Sequence, residues 1–226
     1  MKSVVILGLM LFGGGSAFAA PCATGSLEDF IGLGAAGCEF GVVTFSGFEL
    51  VPGQNGATII SSTDVQITPG GSGYNPTLSF GFTNPTANAS ELLESIFRFS
   101  VSGSPLAGAT LGLAGAVTGD GLVTSVLNVC AGGFFSGVAP DICSGTAGVA
   151  ITSLDANNQQ LTDSTGPFFT SFFDVFVDLT LDGGPSGTAT LTSSTLTIAA
   201  VPEPSAAYLL AAGMAVLAGI KARRKQ

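Results

Sequence analysis

Apolar and polar side chains alternate along several short segments of the chain, which is the pattern of a half-buried β-strand. In segment 172–182, apolar residues at every second position form one face. Asp174, Asp178 and Asp182 lie on the opposite face, which we expect to be solvated. A Gly-rich turn at 182–185 and an alternating Thr and apolar segment at 188–198 follow. These two segments predict a C-terminal hairpin.

Six further segments show strand-like patterns and are separated by Gly, Asn, Pro and Ser: 42–50, 57–67, 77–82, 96–101, 121–128 and 147–154. One helix is predicted at 26–33, because Ser26 is a good N-cap and Glu28 and Asp29 would lie in the first turn. No repeat or long linker divides the region. The sequence therefore predicts a single all-β domain over residues 20–199, built as a sandwich or jelly roll.

The first 19 residues read as a secretory signal peptide. Lys2 precedes an apolar run at 3–12, and Ala17-Phe18-Ala19 fits a small-x-small cleavage site. We expect cleavage after Ala19, with an uncleaved membrane anchor as the alternative.

The C-terminus has three parts. Residues 200–204 form a linker that contains the motif Val201, Pro202, Glu203 and Pro204. Residues 205–220 are uncharged and predict a transmembrane helix about 24 Å long. The tail at 221–226 carries the basic residues Lys221, Arg223, Arg224 and Lys225, which predict a cytoplasmic end and place the domain on the outer side of the membrane.

This three-part tail resembles the PEP-CTERM sorting signal of bacterial proteins. The matching features are the Val-Pro-Glu-Pro motif, the apolar run and the Arg223-Arg224 cluster. The resemblance implies processing by an exosortase, a membrane cysteine protease-transpeptidase, and release to the cell surface or to an exopolysaccharide matrix. The alternative is a permanent single-span anchor.

The start of the mature chain also resembles a group of PEP-CTERM surface proteins. The matching features are Cys22, the Leu27-x-x-Phe30 segment, Gly37-Cys38 and the segment 45–48. That group implies no activity.

Charge restricts the partners of the domain. The segment from Ala20 to Pro204 contains fifteen acidic residues and one basic residue, Arg98, for a net charge of −14. Nucleic-acid binding requires a basic surface, so no nucleic-acid partner is expected. An anionic polysaccharide would be repelled unless a divalent cation bridged it to the protein.

The four cysteines of an exported chain predict two disulfides. Three pairings are available, and we favour the local pairs Cys22–Cys38 and Cys130–Cys143. A metal site is not favoured, since the spacings lack C-x2-C pairs and the chain has no His.

The absence of His also removes Ser-His-Asp and Cys-His catalysis, so neither an enzyme nor a cofactor is expected. Asp174, Asp178 and Asp182 are weak calcium candidates, because calcium prefers carboxylate oxygens but one strand cannot close a site. Thr188, Thr190 and Thr192 form a short ladder that would suit ice binding.

The predicted function is therefore that of an exported bacterial surface or matrix protein with a structural or interaction role. A polysaccharide-binding module, in which calcium could take part, is the alternative. Ice binding and carbohydrate-active chemistry, the latter through paired carboxylates, are third candidates.

Overall fold

The computed structural model describes residues 19–52, 56–137 and 142–201. Within these ranges the chain forms one helix, α1 (Leu27–Gly32), and seventeen strands. The strands are β1 (Ala20–Pro21), β2 (Gly25–Ser26), β3 (Cys38–Phe40), β4 (Val43–Val51), β5 (Thr58–Ile59), β6 (Val65–Ser72), β7 (Asn75–Phe82), β8 (Thr86–Ala87), β9 (Leu92–Thr118), β10 (Leu122–Ala131), β11 (Phe135–Ser136), β12 (Ile142–Cys143), β13 (Thr146–Asp155), β14 (Gln159–Gln160), β15 (Thr162–Thr165), β16 (Thr170–Asp182) and β17 (Thr188–Ala200). The all-β prediction is confirmed.

Helix α1 begins where the sequence predicts it. The Ser26 hydroxyl accepts a hydrogen bond from the Asp29 amide, and the Asp29 carboxylate accepts one from the Ser26 amide at 2.8 Å. This reciprocal capping box satisfies amides that have no partner within the helix. Leu27 and Phe30 are buried and attach the short helix to the core.

Strand β9 is the largest departure from the predicted strands. The sequence predicts a strand at 96–101, but β9 continues from Leu92 to Thr118. Its second half consists of small residues whose alternation is weak, although Leu111 and Leu113 still face inward. The small side chains hide the period-2 signal without preventing extended backbone.

The predicted C-terminal hairpin is wrong, because β16 and β17 pair with β9 instead of with each other. The first half of β9 pairs with β16, in a ladder that includes Phe97↔Val177. The second half pairs with β17, in a ladder that includes Leu111↔Leu196. Strand β9 thus lies between the two strands that the sequence predicts as neighbours.

Two sets of strands extend from the two halves of β9. The first half also pairs with β4, and β16 continues to β10, β13 and β14. The second half also pairs with β15, and β17 continues to β7, β6 and β2. Together they form one fifteen-stranded sheet among the described residues.

The two sets pack against each other through their inner faces. The buried hydroxyls of Ser125 in β10 and Ser194 in β17 lie 2.8 Å apart, although these strands do not pair. Phe80 of β7 packs on Phe97 of β9 with ring centroids 4.9 Å apart. The core between the faces is therefore continuous and rich in Phe, whose burial is the main source of hydrophobic stabilisation.

Both disulfides connect local segments. Cys22 is bonded to Cys38 and Cys130 to Cys143, with Cα separations of 4.8 and 5.4 Å. These are the two pairings that the sequence favours. Each disulfide closes a short local loop and is expected to contribute roughly 3 kcal/mol to the free energy of unfolding in the chain-entropy account.

The partners of β9 change from β16 and β4 to β17 and β15 at residues 103–106, which we call the bend of β9. We expect Gly103 in this bend to tolerate no side chain. Its φ is +142°, and a Cβ there would lie 2.3 Å from the Val42 carbonyl oxygen. Gly103→Ala should lower the free energy of unfolding by about 1–3 kcal/mol, as measured by urea denaturation. Gly112→Ala is the matched control, since a Cβ there meets only ordinary contacts and φ is not positive. Equal effects of the two substitutions would contradict this account of the bend.

Candidate functional site

The chain leaves the domain at the predicted sorting motif. The amide of Ala200 donates to the carbonyl of Tyr74 at 2.9 Å, and the amide of Val201 donates to the carbonyl of Pro105 at 2.7 Å. The last strand is therefore held by backbone hydrogen bonds up to the first residue of the motif.

Most of the predicted targeting residues lie outside the described residues. These are the signal segment at 1–18, the motif residues Pro202, Glu203 and Pro204, the predicted helix at 205–220, and the basic residues Lys221, Arg223, Arg224 and Lys225. Within the described ranges, no helix has the length and apolar character needed to cross a bilayer.

Arg98 is the centre of a polar cluster on the outer face of the first half of β9. Its Nε donates to Asp174 Oδ1 at 2.8 Å, and its Nη2 donates to Asp174 Oδ2 at 2.6 Å. The guanidinium also lies 5.2 Å from the centre of the Phe176 ring and 3.5 Å from the Glu49 carboxylate. The hydrogen bonds to Asp174 outweigh partial burial and raise the pKa of Arg98 above its ordinary value.

The short β11–β12 hairpin covers this cluster. The amide of Phe135 donates to Asp174 Oδ2 at 2.8 Å, and its carbonyl accepts from Arg98 Nη2 at 3.3 Å. The Phe135 ring packs edge-on against Phe176, with centroids 5.4 Å apart. The Cys130–Cys143 disulfide ties the hairpin to β10. Arg98 and Asp174 thus bind the hairpin backbone as well as each other.

The expectation of a fully solvated acidic face on segment 172–182 is wrong. Asp174 and Phe176 are each only 1% exposed, because the β11–β12 hairpin covers them. The sequence gives the correct alternation but no sign of the cover, since the hairpin lies about forty residues away in the chain.

The three calcium candidates do not converge. Asp174 is bound by Arg98, Asp178 accepts from the Thr180 hydroxyl at 3.0 Å, and Asp182 accepts from the Gly184 amide at 2.8 Å. In the part of the chain that the structure describes, no three His, Cys, Asp or Glu residues are grouped suitably for a metal ion.

Two carboxylates share a shallow depression at the end of the domain opposite Val201. Asp120 and Asp155 line it together with Asn157 and Asn158. Hydrogen bonds from the amides of Asn157 and Asn158 lower the pKa of Asp155. Burial raises the pKa of Asp120, but hydrogen bonds from Ser186 and from its own backbone amide together lower it by more. A glycosidase acid requires a raised pKa, which neither carboxyl group has.

The outer face around the second half of β9 carries an uncharged surface that sequence reasoning missed. We call it the hydroxyl face. Its polar residues form four hydroxyl pairs at 2.9–3.1 Å, and the small residues Gly112, Ala114 and Ala116 lie between them. The pairs are Ser79–Thr195, Thr86–Thr190, Thr110–Ser164 and Thr118–Thr188. Alternating Thr and Ser in segments 77–82 and 188–198 was the available signal.

The predicted Thr ladder forms only part of the hydroxyl face. Thr188 and Thr190 are included, but the register shifts between Leu191 and Ser193, so Thr192 has no partner in the β17–β9 ladder. The regular spacing that motivates the ice-binding candidate is therefore interrupted after two residues.

Comparison with known proteins identifies the tail. Residues 200–225 match the family model of the PEP-CTERM protein-sorting motif. This match confirms the resemblance seen in the sequence and implies processing by an exosortase-type enzyme. No curated protein and no solved structure matches the chain.

We expect Arg98→Met to destabilise the domain by about 3–5 kcal/mol, because it leaves the buried Asp174 charge without its partner. Glu49→Gln is the control. Glu49 is 57% exposed, so losing its ion pair should cost about 0–1 kcal/mol. Denaturant unfolding of both variants measures the difference. A loss in Arg98→Met no larger than in Glu49→Gln would show that Arg98 does not hold the hairpin.

Asp178→Asn should raise the Tm at pH 7. Burial raises the pKa of Asp178, the Thr180 hydrogen bond lowers it by less, and the Glu94 charge raises it again. The folded chain therefore keeps this proton to a higher pH than the unfolded chain does. Stability falls as the pH rises from about 4 through the raised folded pKa. Asn removes this loss and still accepts from Thr180.

The control for this prediction is Asp155→Asn, which should have the opposite sign. The pKa of Asp155 is lowered in the fold, so its charged form stabilises the domain at neutral pH. Thermal unfolding at pH 3 and pH 7 distinguishes the two variants. A lower Tm for Asp178→Asn at pH 7 would contradict the prediction.

Proposed function

We propose that the chain is an exported surface or matrix protein that is held at the membrane by its C-terminal tail and then sorted by an exosortase-type enzyme. The observation that carries the proposal is the PEP-CTERM motif at residues 200–225. The signal-like segment at 1–19 and the basic cluster at 221–226 agree on the same orientation, with the domain outside.

The two disulfides support an extracytoplasmic location. All four cysteines of the chain are paired. Structural disulfides persist in oxidising compartments and are rare where glutathione and thioredoxin keep thiols reduced.

For the domain itself we propose a β-sandwich that acts by interaction and not by catalysis. Its two strand sets face each other across a Phe-rich core, which supports the sandwich. Its chain lacks His, and its buried Asp174 is engaged by Arg98.

The sorting proposal predicts that Glu203→Gln, within the motif, keeps the chain attached to the membrane with its tail uncut. Glu39→Gln is the control, since Glu39 is exposed within the domain and its substitution removes the same charge. The measurement is the distribution of each variant between membrane and released fractions of the native host. Release of Glu203→Gln at the parental level would contradict a role for the motif.

A second candidate function is the binding of a neutral polysaccharide through the hydroxyl face. The observation that favours it is the absence of charge across the paired residues and the small residues Gly112, Ala114 and Ala116. Hydroxyl groups both donate and accept, so they suit the hydroxyls of a neutral sugar chain. An acidic domain repels an anionic polymer but not an uncharged one.

Ala116→Arg tests this candidate by placing a long charged side chain on the hydroxyl face. We expect a severalfold loss of retention on exopolysaccharide from the native host. Ala156→Arg is the matched control, because Ala156 is also exposed but lies on the loop after β13, in the other strand set. Equal retention of the two variants, or no retention of the parent, would rule out the hydroxyl face as the binding surface.

A further inference from the structure

The point where the chain leaves the domain defines one end of it, which we call the tail end. Val201 lies beside Pro105 in the bend of β9, and Ala200 lies beside Tyr74 in the β6–β7 turn. Leu106 pairs with both Ala200 and Thr170, the first residue of β16. The β6–β7 turn, the end of β17, the bend of β9 and the start of β16 therefore lie side by side.

Four aromatic side chains are exposed or half-buried at the tail end. Phe169, next to Thr170, is 82% exposed, and Tyr74 is 45% exposed. Phe134 is 57% exposed and packs on half-buried Phe172, with ring centroids 4.7 Å apart. The amide of Gly132 donates to the Phe172 carbonyl, which places Phe134 beside the start of β16.

Acidic residues gather at the opposite end of the domain. Leu122 pairs with both Asp155 and Asp182, and Asp120 accepts from Ser186 in the adjacent turn. Glu91 joins them, since its carbonyl accepts from the Gly183 amide. The two ends of the described domain therefore differ, with carboxylates at one end and aromatic rings at the other.

Few carboxylates approach the tail end. Among the described residues, the accessible acids nearest to it are Glu39 and Asp163. Glu39 is level with Ser102, four residues from Leu106 in the bend, and Asp163 is level with Leu196, four residues before Ala200. Four residues of strand correspond to roughly 13 Å, so these charged groups are set back from Phe169 and Tyr74. Glu39 is, however, level with Phe172, which lies three strands away.

The length of the linker fixes how far this end can be from a membrane. The predicted span begins at residue 205, four residues after Val201. Four extended residues reach at most about 14 Å. The predicted span is itself short, about 24 Å against a hydrocarbon core of ~30 Å, and such a mismatch is accommodated by local thinning of the bilayer or by snorkelling of flanking residues.

We propose that the tail end faces the bilayer while the tail is intact, and that Tyr74, Phe134, Phe169 and Phe172 contact the lipid headgroup region. Tyr favours this interface because it combines an apolar ring with a polar hydroxyl, and exposed Phe rings bury their apolar surface at the boundary between headgroups and acyl chains. The distant carboxylates avoid the negative surface of anionic lipids. This inference rests on the proposed function, since it requires the tail to anchor the chain.

Single tryptophans test the orientation, because the chain contains none. Phe169→Trp and Tyr74→Trp report on the tail end. Ile59→Trp is the control, since Ile59 is 39% exposed and pairs with Glu94, toward the acidic end. Each variant is purified with its tail intact and reconstituted into phosphatidylcholine–phosphatidylglycerol vesicles with or without lipids brominated near the glycerol.

Flotation with the vesicles first tests whether the tail anchors the chain. In the floated protein, we expect a blue-shifted emission and strong quenching by brominated lipid at positions 169 and 74, with neither effect at 59. Flotation without quenching at 169 and 74 would overturn the orientation and leave the sorting proposal intact. A blue shift without quenching would indicate contact with a second copy and would also overturn it. Failure to float would overturn both.

Discussion

The two halves of strand β9 pair with different strands, and the rest of the fold depends on this double pairing. Its first half lies between β16 and β4, and its second half lies between β17 and β15. Backbone amides and carbonyls cannot be buried unpaired, so each half needs partners on both sides. The bend at Gly103 and Pro105 turns the strand and lets the two inner faces meet over the Phe-rich core. The same bend receives the end of β17, so the sorting tail leaves the domain beside the bend of β9.

The polar interactions are few and local in a domain with so little charge. Arg98, the single basic residue between Ala20 and Pro204, is placed where it binds Asp174 and the Phe135 carbonyl together. A guanidinium suits this position because its planar donors satisfy a carboxylate through two bonds and a carbonyl with a further one. The Cys130–Cys143 disulfide holds the β11–β12 hairpin covalently against β10. Burial of the Arg98–Asp174 ion pair and closure of the disulfide loop therefore stabilise the same hairpin.

Local features of the sequence predicted local structure well. Ser26 and Asp29 specified the start of α1, and the even set of cysteines in short loops agreed with the observed pairs. Long-range strand pairing was not predictable, because alternation shows which residues face inward but not which strand is the hydrogen-bonded neighbour. For that reason β16 and β17 were expected to form a hairpin, and the cover over Asp174 and Phe176 was missed. The hydroxyl face escaped notice for the same reason, since its residues come from five separate strands.

The tail motif supports export and sorting of the protein, and the paired cysteines of the domain agree with an oxidising compartment. The most direct test is the intact mass of the protein from its native host, before and after reduction. We expect a chain that begins after Ala19 and ends near residues 201–204, and that gains two hydrogen atoms for each of the two disulfides on reduction. A mass that extends to Gln226 would show that the tail is retained as a permanent anchor, and it would contradict processing by an exosortase.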